Sequence, residues 1–211
     1  MEITDADALI FDYDLTLVDS RKAIVELYSE VCKKYGGCVE NLDFKKMFGM
    51  LDDEAIPYAC ECAKPNISSE EFRKIVHEME PIYSLKAPLL IDAECLRGLK
   101  QKGKRLFIVT NNISNNVCRN LKEKGIYDLF EQIICADNFG DFKCKSEVIS
   151  DVGERFNLRK DQILYVGDHL NDVNYAKKAG VKVLGVATGF HTAEELGEEG
   201  ADFVASRFEG V

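Results

Sequence analysis

One unit recurs along this chain and limits what it can fold into. A helical stretch ends in lysine and glycine, and a β-branched apolar run follows. LRGLKQKG precedes KRLFIVT, NLKEKG precedes IYDLFEQIICA, and YAKKAG precedes VKVLGVA. Gly103, Gly125 and Gly180 suit the left-handed position just past a helix, and the lysines before them suit its negative end. A further helix from Ser146 to Phe156 leads through Asn157 into QILYVGD. Short apolar runs alternating with helices predict βαβ units and a parallel sheet. The predicted strands are Ala8–Phe11, Leu106–Val109, Gln132–Cys135, Ile163–Val166 and Val181–Val186, with a weaker sixth near Phe203. The expected fold is α/β, a three-layer Rossmann-like core with a mostly parallel sheet.

The alternation has one wide gap, between Phe11 and Leu106, and no convincing strand fills it. From Ser20 to Tyr35, apolar residues at Ile24, Leu27, Tyr28, Val31 and Tyr35 follow helical spacing. Ser68-Ser-Glu-Glu71 is a capping-box start for a helix to about Met79. A shorter helix is expected over Asp52–Ala63, disturbed by Pro57. Together these predict a helical cap over residues 18–86, inserted into a core formed by 1–17 and 87–211, with Pro81 and Pro88 bracketing the return. Its Tyr28, Phe44, Phe48, Met50, Tyr58 and Tyr83 read mostly as core, with one or two facing a substrate.

Length and charge set the outer bounds. A chain of 211 residues can hold one full core and a smaller module. At 46% hydrophobic and 30% charged it has an ordinary globular balance. A formal charge of −10 argues against a nucleic-acid partner, although a small anion can still bind inside an acidic shell. No stretch nears the roughly 20 apolar residues that cross a bilayer, and the acidic start MEITDADALIFDYD lacks a signal peptide's basic region. The expectation is a soluble, cytoplasmic protein with no membrane partner, acting as a monomer or homodimer. Eight cysteines without a paired CxxC, beside three histidines, read as reduced buried hydrophobes rather than a zinc site.

Open parallel sheets bind ligands at the carboxyl ends of their strands. Asp12 and Asp14 follow the first strand, and Thr110, Asn111 and Asn112 the second. Lys143 and Lys145 follow the third, past a glycine-containing loop. Asp168 and Asp172 follow the fourth. Carboxylates, a hydroxyl, amides and an ammonium thus converge on one edge. Asp12 and Asp168 could hold a hard divalent cation, magnesium being the usual choice beside phosphate. A lysine would neutralise the transferring group. A carboxylate can attack phosphorus, and a second one two residues on can protonate the leaving group and then activate water.

FDYDLTLVDS, IVTNN, the lysine loop and YVGDHLND stand in the order and spacing of the four motifs of the haloacid dehalogenase superfamily, which the whole chain resembles. The tail from Val181 is similar to that of phosphoglycolate-phosphatase-like members, and the insert resembles their helical type 1 cap. The resemblance implies Asp12 as nucleophile and Mg2+ ligand. Asp14 would be general acid and base, touching the metal through its backbone carbonyl. Thr110 and the backbone at Asn111 would bind phosphoryl oxygens, Asp168 would complete the metal site, and Asp172 would support it or hold a metal-bound water. The family's common DxDGT reads DYDLT here, with Leu15 for glycine. The lysine motif reads FKCKSE without the usual proline; aligning Glu147 with the family's acidic residue picks Lys143, with Lys145 as the alternative.

Blander readings stand beside these. Thr110 and Asn111 could merely start a helix, a role compatible with holding an anion. His169 reads as a pocket-edge side chain rather than a ligand. Gly189-Phe190-His191 either lines the site or only precedes the helix that Thr192-Ala-Glu-Glu195 begins. The expected function is a phosphomonoesterase acting on a small phosphorylated metabolite, possible members including phosphoglycolate phosphatase. The alternatives are a sugar phosphomutase, a 2-haloacid dehalogenase, which needs neither metal nor a second aspartate, and a binding protein that has lost the chemistry.

Overall fold

The structure, a computed structural model, describes residues 5–48, 50–142 and 144–210. Strands β1 (Ala8–Phe11), β2 (Arg105–Thr110), β3 (Gln132–Cys135), β4 (Ile163–Gly167), β5 (Lys182–Val186) and β6 (Phe203–Ala205) form one sheet. Its order is β3-β2-β1-β4-β5-β6, and every ladder is parallel. Successive side chains on a strand point to opposite faces, so each strand feeds two cores. Leu9, Phe11, Ile108 and Val166 pack beneath helices α5 (Ala93–Gln101) and α6 (Ser114–Glu123). Ile10, Val109, Tyr165 and Val183 pack beneath α7 (Lys145–Arg155), α8 (Leu170–Ala179) and α9 (Ala193–Glu199). The continuous apolar runs follow from this burial on both faces. Gly103, Gly125 and Gly180 have φ of 80°, 66° and 77°, the left-handed turn that ends each helix before its strand.

Four further helices lie between β1 and α5: α1 (Arg21–Lys34), α2 (Phe44–Met47), α3 (Asp52–Ala63) and α4 (Ser69–Ser84). They share a cluster of their own, in which Leu27, Val31, Ile56 and Phe72 are fully buried. The outgoing and returning chains run side by side: Leu90 N donates to Leu17 O and Asp19 N to Pro88 O, both at 2.9 Å. The return is also tied to α6, since Asn120 Nδ2 donates to Ser84 O at 2.6 Å. Two details differ from the sequence expectations. Helix α4 starts with the capping box of Ser68 and Glu71 but continues through Pro81 to Ser84 rather than stopping near Met79. Buried Phe72, Val76 and Pro81 offset the hydrogen bond that a proline nitrogen forfeits. The short α2, too brief for a periodic signal, begins at Asp43, whose carboxylate accepts from Lys46 N at 3.1 Å.

Candidate active site

The pairing register sets the floor of the site. Phe11 is opposite Ile108 on one side and Val166 on the other, so β1, β2 and β4 end level at the centre of the sheet. Asp12, Thr110 and Asp168 therefore emerge together, and all are buried. Helix α7 begins at Lys145 and α8 shortly after Asp168, which brings Lys145 and Asp172 to the same edge.

Lys145 lies at the centre of the constellation. Its Nζ is 2.8 Å from Asp12 Oδ1 and 3.0 Å from Asp172 Oδ1, and only 3% of the residue is exposed. Burial alone would strip its proton, but the charges of Asp12 and Asp172 outweigh that and hold its pKa well above the usual value. Lys143 lies outside the described residues; the lysine in contact with Asp12 is Lys145. The physical reason is positional: as the first residue of α7, Lys145 leaves the helix where it meets the strand ends, while Glu147 is on the exposed side.

Asp12 loses solvation on burial, which pushes its pKa to about 7 against the opposing pull of Lys145. Asp168 is raised well above the carboxylate range, first by burial and then by the charges of Asp172 and Asp12. Oxygen atoms of Asp12, Asp168 and Asp172 lie within 4.8 Å of one another. Three buried carboxylates facing one lysine form a hard, all-oxygen donor set with excess negative charge, which fits a small divalent cation. Asp172 has both oxygens engaged: Lys145 and the Tyr165 hydroxyl donate to Oδ1, and His169 N donates to Oδ2 at 3.2 Å.

Asp14 turns the other way. Its Oδ2 accepts from Asn112 Nδ2 at 2.8 Å, and burial raises its pKa against that bond. Its carboxylate is outside the three-aspartate cluster. Asn112 is held by Asn116, whose Nδ2 donates to Asn112 Oδ1 at 3.0 Å, and Asn112 N donates to Thr110 Oγ1 at 3.1 Å. Thr110 and Asn111 line the cleft beside Asp12.

The turn between these aspartates and the insert carries a strained residue. Leu15 has φ 57°, a conformation open to glycine without cost and about 1–2 kcal/mol unfavourable for other residues. Leu15 N donates to Val18 O at 2.8 Å, Leu15 O accepts from Thr188 Oγ1 at 2.5 Å, and the side chain is 1% exposed. These contacts hold leucine where the family pattern has glycine. Next to it, Thr16 Oγ1 donates to Asp168 Oδ1 at 3.0 Å.

The loop after β5 closes the edge. A Cβ on Gly189 would lie 1.9 Å from Asp168 Oδ2, so that position needs glycine. Phe190 packs on Phe48 with ring centres 5.3 Å apart, and His191 meets His169 edge-on at 4.7 Å. His169 caps α8, its Nδ1 accepting from Asn171 N, and burial lowers its pKa. Thr192 and Glu195 form the capping box of α9. The loop thus touches the site and also starts the helix.

Two residues of this network had no assigned part in the sequence reading. Tyr165 looks like any core strand residue, and the one signal is its hydroxyl: a buried phenol requires a partner. Its oxygen is 3.0 Å from Asp172 Oδ1 and 3.4 Å from Lys145 Nζ. Asn112 stands next to the motif but gives no hint that it reaches back to Asp14. From the insert, Ile24, Tyr28, Met47, Phe48, Met50 and Glu80 reach the cleft.

Comparison with known proteins agrees with this architecture. Residues 9–186 match the haloacid dehalogenase-like hydrolase family. A phosphorylated carbohydrates phosphatase of Thermotoga maritima is 26% identical, over 92% of each chain. A phosphoglycolate phosphatase of Vibrio cholerae is 27% identical, over 93% of this chain and 91% of the other. Among solved structures, a Bacteroides fragilis protein provisionally classed as a haloacid dehalogenase-like hydrolase superposes with a TM-score of 0.82 at 25% identity, covering 96% of this chain and 98% of that one. With the match spanning the sheet from β1 to β5 and the strand-end residues from Asp12 to Asp172, the chain belongs to the haloacid dehalogenase-like hydrolase family.

Proposed function

We propose that this chain is a magnesium-dependent phosphomonoesterase that works through an aspartyl-phosphate on Asp12. The observation that carries this reading is the division of labour between two adjacent carboxylates. Asp12 is paired with Lys145 at 2.8 Å, whereas Asp14 turns away from that lysine and accepts from Asn112 at 2.8 Å. One carboxylate is kept ready to attack and the other to carry a proton, the separation of roles that acid–base chemistry requires.

In the first step an Asp12 oxygen attacks phosphorus while the bond to the leaving oxygen breaks, and Asp14 donates its proton to that oxygen. In the second step Asp14 takes a proton from water, the water oxygen bonds to phosphorus, and Asp12 is released with inorganic phosphate. Lys145 and Thr110 hold the phosphoryl oxygens in place through both steps. Asp12, Asp168 and the Asp14 carbonyl would hold the magnesium ion, with Asp172 behind them; when bound, the ion neutralises charge on the phosphoryl group. The helices of residues 18–86 act as a cap that shields the site from bulk water.

Phosphate release from p-nitrophenyl phosphate tests the reading. Excess EDTA is expected to lower the rate at least about 100-fold, with recovery on adding magnesium; a full rate in EDTA would remove the metal from the mechanism. Release of free phosphate also separates hydrolysis from phosphomutase chemistry, which passes the group to a second sugar phosphate. A separate check uses Gly189, whose missing side chain leaves room for Asp168. Gly189→Ala is expected to weaken magnesium binding about 10- to 100-fold in a calorimetric titration, and unchanged affinity would remove Asp168 from the metal site.

The substrate class is a small phosphate ester; the Vibrio cholerae relative is named a phosphoglycolate phosphatase.

A further inference from the structure

The cleft between the strand ends and the insert encloses about 120 Å³. That is roughly ten water-sized positions, room for a phosphoryl group and a small organic half. The two walls differ in chemistry. The floor carries the four aspartates and Lys145, and these face the phosphoryl group. The wall supplied by the insert presents Ile24, Tyr28, Met47, Phe48, Met50 and Ala55, together with one carboxylate, Glu80. Among the described lining residues, five are carboxylates and Lys145 is the one lysine or arginine, already 2.8 Å from Asp12 and 3.0 Å from Asp172. Two other cations of the seam, Arg21 and Lys45, do not line the cleft. Arg21 donates to Thr188 O at 2.7 Å and lies over the Phe190 ring, and Lys45 faces Glu195 at 3.8 Å.

We infer that the organic half of the substrate is uncharged or cationic and partly apolar, and carries no second anionic group. The inference rests on the phosphatase reading and narrows its substrate class. A carboxylate or second phosphate placed against the insert wall would be desolvated beside Ile24, Met47, Phe48 and Met50, with no lysine or arginine other than Lys145 among the described lining residues, and would stand near Glu80. Burying an unpaired charge in such surroundings is strongly unfavourable. A divalent ion at the aspartates does not change this, because its charge is balanced by the carboxylates that hold it. An apolar or hydroxyl-bearing group meets surfaces of its own kind, and Glu80 can accept a hydrogen bond from a hydroxyl or an ammonium.

Matched pairs of esters test the inference: 2-hydroxyethyl phosphate against phosphoglycolate, and phenyl phosphate against 4-carboxyphenyl phosphate, each with magnesium and read as phosphate release. The uncharged member of each pair is expected to have a kcat/KM about 10- to 100-fold higher, the usual worth of one charged contact. Equal or greater kcat/KM for the carboxylated members would overturn the inference while leaving the phosphatase reading intact. No release from any of the four would overturn both. Met50→Lys adds a cation to the insert wall and is expected to shift the ratio about tenfold toward the carboxylated esters. An unchanged ratio in a variant that still hydrolyses the neutral esters would place the organic half away from this wall.

Discussion

Asp12→Asn is expected to lower phosphate release at least about 10³-fold with the fold retained. An amide oxygen is a far weaker nucleophile than a carboxylate, and loss of a covalent nucleophile removes a whole reaction path rather than one contact. The substitution is nearly isosteric, and the surrounding strand ends and Lys145 remain in place. Losing the charge weakens the pairing with Lys145 and also removes repulsion with Asp172 and Asp14, and Lys145 keeps Asp172 as its partner at 3.0 Å, so the fold is expected to be retained. Retained activity within tenfold of the parent would remove Asp12 as nucleophile; loss of activity together with loss of fold would be read from circular dichroism alongside the rate.

Lys145→Ala is expected to be severe in two ways at once. Catalysis should fall about 10²- to 10³-fold, because a preorganised charge aimed at the transferring group is lost. Stability should also fall, by about 3–5 kcal/mol, since Asp12 and Asp172 would be left buried without their cation. The same change at Lys143 is expected to leave the rate within a few-fold of the parent. Chemical denaturation and initial rates on both variants decide between the lysines. A Lys143→Ala variant that is inactive beside an active Lys145→Ala variant would reverse the assignment.

That contrast shows where the sequence was legible. β1, β3 and the starts of β4 and β6 stand where their apolar runs indicated, because short apolar runs bounded by polar or glycine-containing turns leave few alternatives. The capping boxes at Ser68 and Thr192 mark helix starts for an equally local reason, each being complete within four residues. The strand-end residues could be enumerated because a parallel sheet exposes one edge to ligands. The lysine is different. FKCKSE offers two candidates two residues apart, and what brings Lys145 to Asp12 is its place at the start of α7, a matter of packing rather than local pattern. Leu15 is a similar case: its left-handed backbone is sustained by Thr188, far away in the chain. Tyr165, Asn112 and the insert residues at the cleft were not assignable for the same reason, since their roles arise from partners brought in by the fold.

If phosphate passes through Asp12, quenching the enzyme during turnover and reducing with borohydride will trap it, because borohydride converts an acyl phosphate on aspartate into homoserine. Mass spectrometry of the digested chain should find homoserine at position 12, dependent on substrate and magnesium. Steady phosphate release with no modification at position 12, or with the modification on another carboxylate, would exclude Asp12 as the phosphorylated residue.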